Sequence, residues 1–311
     1  MTVKNPKTAV LYLAFGGSDS VENCEPFVRN VLRGKPITPE IIEKIKDRYG
    51  IIGGRSPLLD ITTAQAKAVD AELRGQGIEY PYYVGMRYWH PFIKDTLARI
   101  KADGVERVIA VIMSTFNTLA TTSGYHAEVD EAVAAQDGAP SVEFAREWHQ
   151  HPSLIKAVAG NMQTEMCAFA DLSEVMVVFS THSLPMNILE GDPYEMQIHQ
   201  SAEKVMAKFK ADWMVGYQSK GGGFREWMGP TTEEVIDEAK KRGKKGVIVV
   251  PIGFVADHVE TLYDIDVLFK GYAESRGLVF RRSASLNTNE FFIRAIADTI
   301  AKHTFQVRRF F

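Results

Sequence analysis

The sequence predicts an α/β protein with two similar doubly wound halves, each a four-stranded parallel sheet flanked by helices. The chain has 311 residues, which fits two domains of roughly 150 residues each. Eight short apolar runs alternate with helical patterns, and this alternation is typical of βαβ units. Because the runs are almost continuously apolar, we expect each sheet to be covered on both faces.

The predicted strands are divided equally between the halves. They are residues 8–15, 79–86, 107–113 and 141–146 in the first half, and residues 174–181, 212–218, 246–252 and 278–282 in the second. A helix is predicted near residues 153–168, between the fourth and fifth strands. We therefore predict domains of residues 1–152 and 153–311, with the C-terminal helix packing back on the first domain.

The composition indicates a globular protein with a small-molecule partner. Hydrophobic residues make up 45% of the chain and charged residues 24%, which excludes bulk disorder. A formal net charge of -3 provides no general basic field, so we expect no nucleic-acid partner. No stretch approaches the ~18 apolar residues of a membrane span, so we expect at most peripheral membrane contact.

The two cysteines, Cys24 and Cys167, lie far apart in the sequence. They are too few for a disulfide framework, a Cys-rich zinc site or a Cys-ligated iron–sulfur cluster. This usage suits a reducing cytoplasm, where we expect the protein to act. The N-terminal apolar run ends at Gly16-Gly17 without a small-residue cleavage site, so we interpret it as a buried strand and not as a signal peptide.

A histidine follows the fifth predicted strand. Ligands of parallel α/β sheets bind beyond the carboxyl ends of the strands, and His182 comes directly after strand 174–181. A neutral imidazole at that edge can accept a proton or bind a metal. The alternative is a structural histidine whose ring bonds a nearby carbonyl group, and a lone histidine leaves both interpretations open.

Acidic and imidazole groups also follow the seventh predicted strand. Glu260 and Asp264 are four residues apart, which places both carboxylates on one face of a helix. Such a ridge would suit protons or a divalent cation, and oxygen with imidazole ligands is compatible with Fe(II). Alternatively, Asp257 and Glu260 have the spacing of a capping box, in which Glu260 bonds a backbone N–H.

Two glycine-rich segments are weaker candidates for ligand-binding loops. Residues 53–57 fit either a simple turn or an anion-binding loop with Arg55. The glycines at 221–223 lack the spacing of a dinucleotide-binding motif, so we interpret them as a mobile loop.

Longer motifs resemble the ferrochelatase family, whose members insert ferrous iron into a porphyrin in haem synthesis. Residues 179–185 resemble the family's Phe-Ser-Ala-His-Ser-Leu-Pro, and residues 251–266 its Pro-x-Gly-Phe-x-x-Asp-His-x-Glu-x-Leu-Tyr-x-x-Asp. Further matches are residues 217–219, 227–230, 33–34, 48–49 and 53–57. The resemblance spans nearly the whole chain and implies the chelatase fold, with two Rossmann-like domains around a porphyrin cleft.

The resemblance also implies roles for individual residues. His182 and Glu260 match the catalytic pair that takes part in metal delivery and pyrrole deprotonation. Asp264 matches the next carboxylate, so that His182, Glu260 and Asp264 are the implied metal-binding residues. The residues implied to line the macrocycle or hold its propionates are Phe15, Arg48, Tyr49, Ser56, Tyr125 and Trp227.

Four positions depart from the family pattern. Thr181 replaces the usual alanine, and we expect its hydroxyl to affect packing only. Leu268 replaces a third acid, so the chain lacks a ridge of three carboxylates. Phe15 replaces a tyrosine of some members, which excludes phenolate ligation there. Leu32 precedes Arg33 where some members have paired arginines, which leaves the propionate contacts open.

We therefore expect a cytoplasmic ferrochelatase, a lyase that acts as a monomer. Its substrates would be Fe²⁺ and either protoporphyrin IX or coproporphyrin III, giving haem or coprohaem. We expect no organic cofactor and no iron–sulfur cluster. Two alternatives remain open: a chelatase for another metal or tetrapyrrole, and a non-catalytic tetrapyrrole carrier.

Overall fold

A computed structural model of the chain describes residues 7–119, 121–145, 147–221 and 225–307. Apart from these gaps, residues 7–113, 121–148 and 293–307 form a first compact unit, and residues 114–119 and 149–292 form a second. The sequence placed the boundary at 152/153, whereas the units divide between Trp148 and His149. The chain returns to the first unit at Ile293, within the C-terminal helix.

The first unit is a parallel sheet with helices between its strands. Its elements are β1 (Thr8–Ala14), α1 (Cys24–Leu32), α2 (Pro39–Ile51), α3 (Leu58–Gly75), β2 (Tyr82–Met86), α4 (Ile93–Ala102), β3 (Arg107–Ile112), α5 (Thr122–Ala134) and β4 (Ser141–Phe144). The strand order is β2-β1-β3-β4, and every pair is parallel. The fourth strand ends before residue 146, which lies outside the described residues.

The second unit repeats this arrangement. Its elements are α6 (Pro152–Met166), β5 (Val175–His182), α7 (Tyr194–Met206), β6 (Asp212–Gln218), α8 (Thr232–Lys241), β7 (Gly246–Val250), a π-helix (Glu260–Phe269), α9 (Lys270–Ser275) and β8 (Val279–Arg282), followed by α10 (Glu290–Val307). The strand order β6-β5-β7-β8 is that of the first sheet, again with parallel pairs. The predicted fold class of two four-stranded parallel sheets is confirmed.

The central strands form the core of each unit because helices cover both faces of the sheets. Residues 175–179 of β5 have no exposed surface. Two of them, Met176 and Val178, pack in one cluster with Val235 and Ile236 of α8 and with Ile265 and Phe269 of the π-helix. Each buried apolar side chain contributes ~1.5–3 kcal/mol before conformational entropy is subtracted. This packing fixes the carboxyl end of β5, where His182 lies.

Local sequence determines where α8 begins. Thr231 accepts a hydrogen bond from the Glu234 N–H at 3.2 Å, and Glu234 accepts one from the Thr231 N–H at 2.7 Å. This capping box satisfies two free backbone donors of the first turn. The helix then packs its apolar face, with Val235, Ile236 and Ala239 buried, beside β5 and β6.

One further expectation depends on residues outside the described part of the chain. The predicted mobile loop at 221–223 includes Gly222 and Gly223, which are not described. Among the described residues, we find no helix with the length and apolar character that crossing a membrane requires.

Candidate active site

His182 is the last residue of β5, one residue later than the predicted end of this strand. Its ring Nδ1 lies 2.5 Å from the carbonyl oxygen of Ser183. Because a carbonyl oxygen only accepts hydrogen bonds, Nδ1 carries the proton of the neutral ring, and Nε2 carries the lone pair. The contact to a nearby carbonyl, which the sequence offered as the structural alternative, thus selects the tautomer that leaves Nε2 basic.

Glu260 stands between two imidazoles. Its Oε1 lies 3.7 Å from His182 Nε2, and its Oε2 lies 4.0 Å from Nε2 of His258. The side chains of His182 and Glu260 are 38% and 28% exposed, so both are accessible from solvent. Burial lowers the pKa of His258 despite the neighbouring Glu260 and Asp257, which favours its neutral form. The predicted pair is therefore brought together, with a second imidazole beside it.

A chain of hydroxyl groups supports the backbone of His182. The Thr181 hydroxyl lies 2.6 Å from the Tyr194 hydroxyl, which donates to the His182 carbonyl oxygen at 2.9 Å. Burial raises the pKa of Tyr194, so its hydroxyl keeps the proton that it donates. The Thr181 hydroxyl thus has a hydrogen-bonding role beyond the packing effect expected from the sequence.

The carboxylates of the predicted ridge lie on a π-helix. In this helix the N–H groups bond carbonyls five residues back, a geometry that is frequent at functional sites. Asp264 is 5% exposed and accepts a hydrogen bond from the Ser219 hydroxyl at 2.7 Å. Leu268, at the position of the missing acid, is 41% exposed. The ridge therefore combines an accessible Glu260, a buried Asp264 and an exposed apolar group.

The implied metal-binding residues do not form a ready cage. Within the described part of the chain, no group of three or more His, Cys, Asp and Glu side chains is arranged to hold a metal ion. The role of His182, Glu260 and Asp264 as successive metal contacts stays a prediction.

The capping-box alternative for Asp257 and Glu260 is wrong. The Asp257 N–H donates to the side-chain oxygen of Asn287 at 2.9 Å, where a capping box would need Glu260. The Asp257 carboxylate accepts hydrogen bonds from Thr261, Arg282, Ser285 and Asn287. Arg282 also contacts Asp266 of the π-helix, at 2.9 Å. Glu260 is thereby left to face the two imidazoles.

Trp227 is half-buried beside the segment that follows His182. It forms an antiparallel bridge with Pro185, and the neighbouring Met228 N–H donates to the Leu184 carbonyl at 2.9 Å. The Ser183 hydroxyl donates to the Met228 carbonyl at 3.0 Å. The tryptophan is thus fixed by its backbone to the segment that directly follows His182.

In the first unit, Phe15 directly follows β1 and is 41% exposed. Its ring contacts that of Tyr88, which follows β2, with centroids 4.6 Å apart. The Arg87 guanidinium lies over the rings of Tyr88 and Tyr125, at 4.9 and 5.2 Å, and pairs with Glu128 at 3.0 Å. The end of this sheet therefore presents an aromatic surface with a cation behind it.

Other predicted ligand-binding residues of this unit are buried or half-buried. Tyr49 is 2% exposed, and its hydroxyl accepts a hydrogen bond from the Ser18 N–H at 3.2 Å. Ser56 is 8% exposed, and its N–H donates to the Ser18 carbonyl at 2.8 Å. Tyr125 is 6% exposed beneath Arg87, and Arg48 is half-buried on α2. Tyr49 and Ser56 hold the loop after β1, and their contact with a ligand stays a prediction.

The sequence interpretation missed several residues of the site. His258 and Gln218 were quoted within motifs but were given no role, and Tyr194 was not considered. A polar residue at the carboxyl end of the strand next to β5 was the available signal for Gln218, because β6 lies beside β5. No local pattern relates Tyr194 to His182, since the contact depends on how α7 packs.

Thr181 packs against Gly253, where any side chain larger than hydrogen would overlap it. A methyl group on Gly253 would lie 2.9 Å from the backbone α-carbon of Thr181 and 2.7 Å from its Cβ, and would also overlap the hydroxyl.

We expect Gly253→Ala to lower the free energy of unfolding by about 1–3 kcal/mol, as measured by urea denaturation. Thr181→Ala should restore only part of the loss, because the overlap with the backbone of residue 181 remains. Gly271→Ala is the matched control, since nothing lies within 4 Å of its added methyl. A loss for Gly271→Ala equal to that for Gly253→Ala would contradict the steric argument.

Comparisons with known proteins identify the family of the chain. The sequence model of the Ferrochelatase family matches residues 7–304. A Ferrochelatase of Geotalea uraniireducens is 36% identical, with 95% of this chain and 98% of the relative covered. A Ferrochelatase of Deinococcus radiodurans is 32% identical, with 98% and 99% covered.

A solved structure shares the fold. SirB from Bacillus subtilis, determined with Fe³⁺, covers 95% of both chains with a TM-score of 0.61 and 10% sequence identity. At that identity the likeness concerns the fold alone. The family match and the two relatives cover nearly the whole sequence, and on this evidence the chain belongs to the ferrochelatase family.

Proposed function

We propose that the protein inserts Fe²⁺ into a porphyrin, with His182 and Glu260 acting in pyrrole deprotonation and metal delivery. The observation that carries the proposal is the basic Nε2 of His182, 3.7 Å from Glu260 Oε1, with both side chains accessible. Membership of the ferrochelatase family supports metal insertion into a porphyrin for haem. The residue roles, the metal and the porphyrin are the proposed part.

The chemistry requires acceptors for two protons. A free-base porphyrin carries two pyrrole N–H groups, and Fe²⁺ replaces both protons when it binds the four nitrogens. His182 Nε2 accepts one proton as a general base, and the Glu260 carboxylate stabilises the imidazolium ion that forms. Because both side chains are accessible, the imidazolium ion releases this proton to water, and the neutral ring then accepts the second pyrrole proton. Glu260 Oε2 also lies 4.0 Å from Nε2 of neutral His258. A second imidazole is therefore next to the carboxylate that stabilises the imidazolium ion.

Metal delivery uses the same two side chains. Neutral imidazole and carboxylate oxygen are suitable transient ligands for Fe²⁺, and a site with few ligands releases the metal readily. Asp264 is buried and bonded to Ser219, so we assign it a later or supporting place in the metal route. The exposed Leu268 supplies no ligand to extend this route along the helix.

The first unit has features that suit an anionic macrocycle. The adjoining Phe15 and Tyr88, whose ring planes are inclined at 57°, provide an aromatic surface for a porphyrin ring. A cavity of about 570 Å³ is lined by four basic side chains, those of Arg29, Arg33, Arg87 and Lys94, and by two acidic ones. Arg29 pairs with Glu25, and Arg33 and Arg87 pair with Glu128, so the lining keeps a small net positive charge, which favours propionate carboxylates. A pocket that binds a bent ring better than a planar one would favour metallation by binding the transition state.

The proposal includes no organic cofactor and no iron–sulfur cluster, and it assigns the activity to the cytoplasmic monomer. Cys24 is buried and Cys167 is exposed, and two thiols fall short of the four ligands of a typical cluster. We expect the purified enzyme to show no cluster absorption and to retain full activity after treatment with a chelator that is then removed.

The test is metal insertion under anaerobic conditions. Fe²⁺ is mixed with protoporphyrin IX or coproporphyrin III, and the loss of the free-base absorption bands is followed against a protein-free control. Faster metallation of either porphyrin supports the proposal and identifies the substrate. Binding without metallation would indicate a tetrapyrrole carrier. Insertion of Co²⁺ or Ni²⁺ in place of Fe²⁺ would indicate a chelatase for another metal.

A further inference from the structure

We infer that Gln218 is a positioning residue that holds His182 and Glu260 at their working separation. The inference rests on the proposed function, because it concerns the geometry of the proposed catalytic pair. Gln218 is 2% exposed, so it acts through its neighbours and not on the substrate.

The position of Gln218 in the sheet places it beside His182. The two residues are register partners at the carboxyl ends of the adjacent strands β5 and β6. The Ser183 N–H donates to the Gln218 carbonyl oxygen at 2.8 Å, so the strand pairing continues one step beyond His182. The backbone on both sides of the His182 ring is thus fixed relative to Gln218.

The side-chain amide of Gln218 joins β5 to the π-helix. Its oxygen accepts a hydrogen bond from the hydroxyl of Ser180, two residues before His182. Its nitrogen donates to the backbone carbonyl of Glu260 at 3.1 Å. One planar group therefore binds the strand of the histidine at one end and the helix of the glutamate at the other.

The next residue makes a second connection to the same helix. Ser219 has a positive φ of 58°, and its hydroxyl donates to Asp264 at 2.7 Å. The Gln218 nitrogen also lies 3.3 Å from this hydroxyl oxygen, which accepts from it. Gln218 and Ser219 together fix the π-helix at Glu260 and at Asp264. The start of the helix is thereby tied to the end of β6.

The chemistry of the amide explains why glutamine is needed. The contacts require an acceptor and a donor on one side chain of this length. Glutamate lacks the donor, methionine lacks both strong hydrogen-bonding groups, and asparagine is one methylene too short. Without the Gln218 amide, the Ser180 hydroxyl and the Glu260 carbonyl lose these hydrogen bonds. The separation of His182 and Glu260 is then no longer fixed by this bridge between β5 and the π-helix.

The test compares Gln218→Met with wild type in steady-state iron insertion. We expect kcat to fall about 10–100-fold, as for other residues that orient catalytic groups, and KM for porphyrin to change less than about threefold. The pH profile of kcat should shift, because the interaction between His182 and Glu260 changes. Gln197→Met is the matched control: Gln197 is also 2% exposed, and its side chain accepts a hydrogen bond from the Asn117 N–H. Its kcat should stay within about twofold of wild type.

A double-mutant comparison isolates the positioning role. In the Glu260→Gln background, Gln218→Met should lower kcat by less than a further factor of about three, because the interaction between His182 and residue 260 is already disrupted. Equal losses in both backgrounds, or an effect confined to KM, would overturn the inference. Ser180→Ala removes the other end of the bridge and gives the same comparison if Gln218→Met does not fold. Unchanged kcat in either bridge variant, with Glu260→Gln inactive, rejects only the positioning role. Wild-type turnover of Glu260→Gln rejects the proposed function itself.

Discussion

Replacing His182 with alanine is expected to lower the rate of iron insertion by about 10³-fold while porphyrin still binds. The size follows from the loss of a general base, which typically contributes 10²–10⁴-fold. Glu260→Gln keeps the shape of the side chain and removes its charge, so it should give a loss of similar size. Both variants are measured by anaerobic insertion of Fe²⁺, with porphyrin binding followed separately by absorption or fluorescence.

Two observations make this prediction specific. His182 and Glu260 are accessible and lie 3.7 Å apart, so removing either affects the exposed pair directly. His199→Ala is the control, because this half-buried histidine has its ring 6.2 Å from that of Trp213 and is not part of the pair. We expect the control to retain activity within about twofold. Wild-type turnover by His182→Ala or by Glu260→Gln would refute the assignment.

The second large effect is expected for stability. Arg282→Met should lower the free energy of unfolding by about 3 kcal/mol, because it leaves two carboxylates without their shared cation. Arg282 lies 2.9 Å from both Asp257 and Asp266, and its side chain and that of Asp257 are each 16% exposed. Adding Asp266→Asn should recover part of the loss by removing one uncompensated charge. Urea denaturation followed by tryptophan fluorescence measures both variants.

The effect of Arg282→Met should depend on pH. Burial alone would raise the pKa of Asp257, but hydrogen bonds from Arg282, Asn287 and Ser285 outweigh it and lower the pKa from 3.8 to about 2. A carboxyl with a lowered pKa contributes stability above its unfolded pKa, here about 2 kcal/mol, and this is lost as the pH falls through 2. Without Arg282 the pKa rises, so the variant's deficit should be largest above pH ~5 and shrink towards pH 3. A deficit that stays constant over this range would refute the ionic explanation.

The sequence predicted the sheets well because buried parallel strands leave a strong local signal. All eight predicted strands correspond to β1–β8, with ends that differ by a few residues. The alternating strands and helices also predicted the fold class, since βαβ connections favour parallel pairing. The helix before β5 was predicted at residues 153–168 and observed at Pro152–Met166.

The site was less predictable because it depends on tertiary contacts. The sequence motifs identified His182 and Glu260 as candidates. The tautomer of His182 depends on the contact between its Nδ1 and the Ser183 carbonyl, which is visible only in the structure. The π-helix has no clear sequence signal, so the regular helix expected for Glu260 and Asp264 was the wrong local geometry. The burial of Asp264 and the contact of Thr181 with Tyr194 likewise depend on neighbouring elements.

The shared strand order of the two sheets has a consequence for how this protein can change. The strands β1 and β5 occupy equivalent positions in the two sheets, but different side chains stand at their carboxyl ends. The apolar Phe15 follows β1, and the imidazole of His182 ends β5. These two ends are held by separate cores, so substitutions in the loops after β1 and β2 leave the core that fixes His182 and Glu260 unaltered. Under the proposed function, substitutions that alter the porphyrin contacts of the first unit would therefore leave the proposed proton acceptor of the second unit in place.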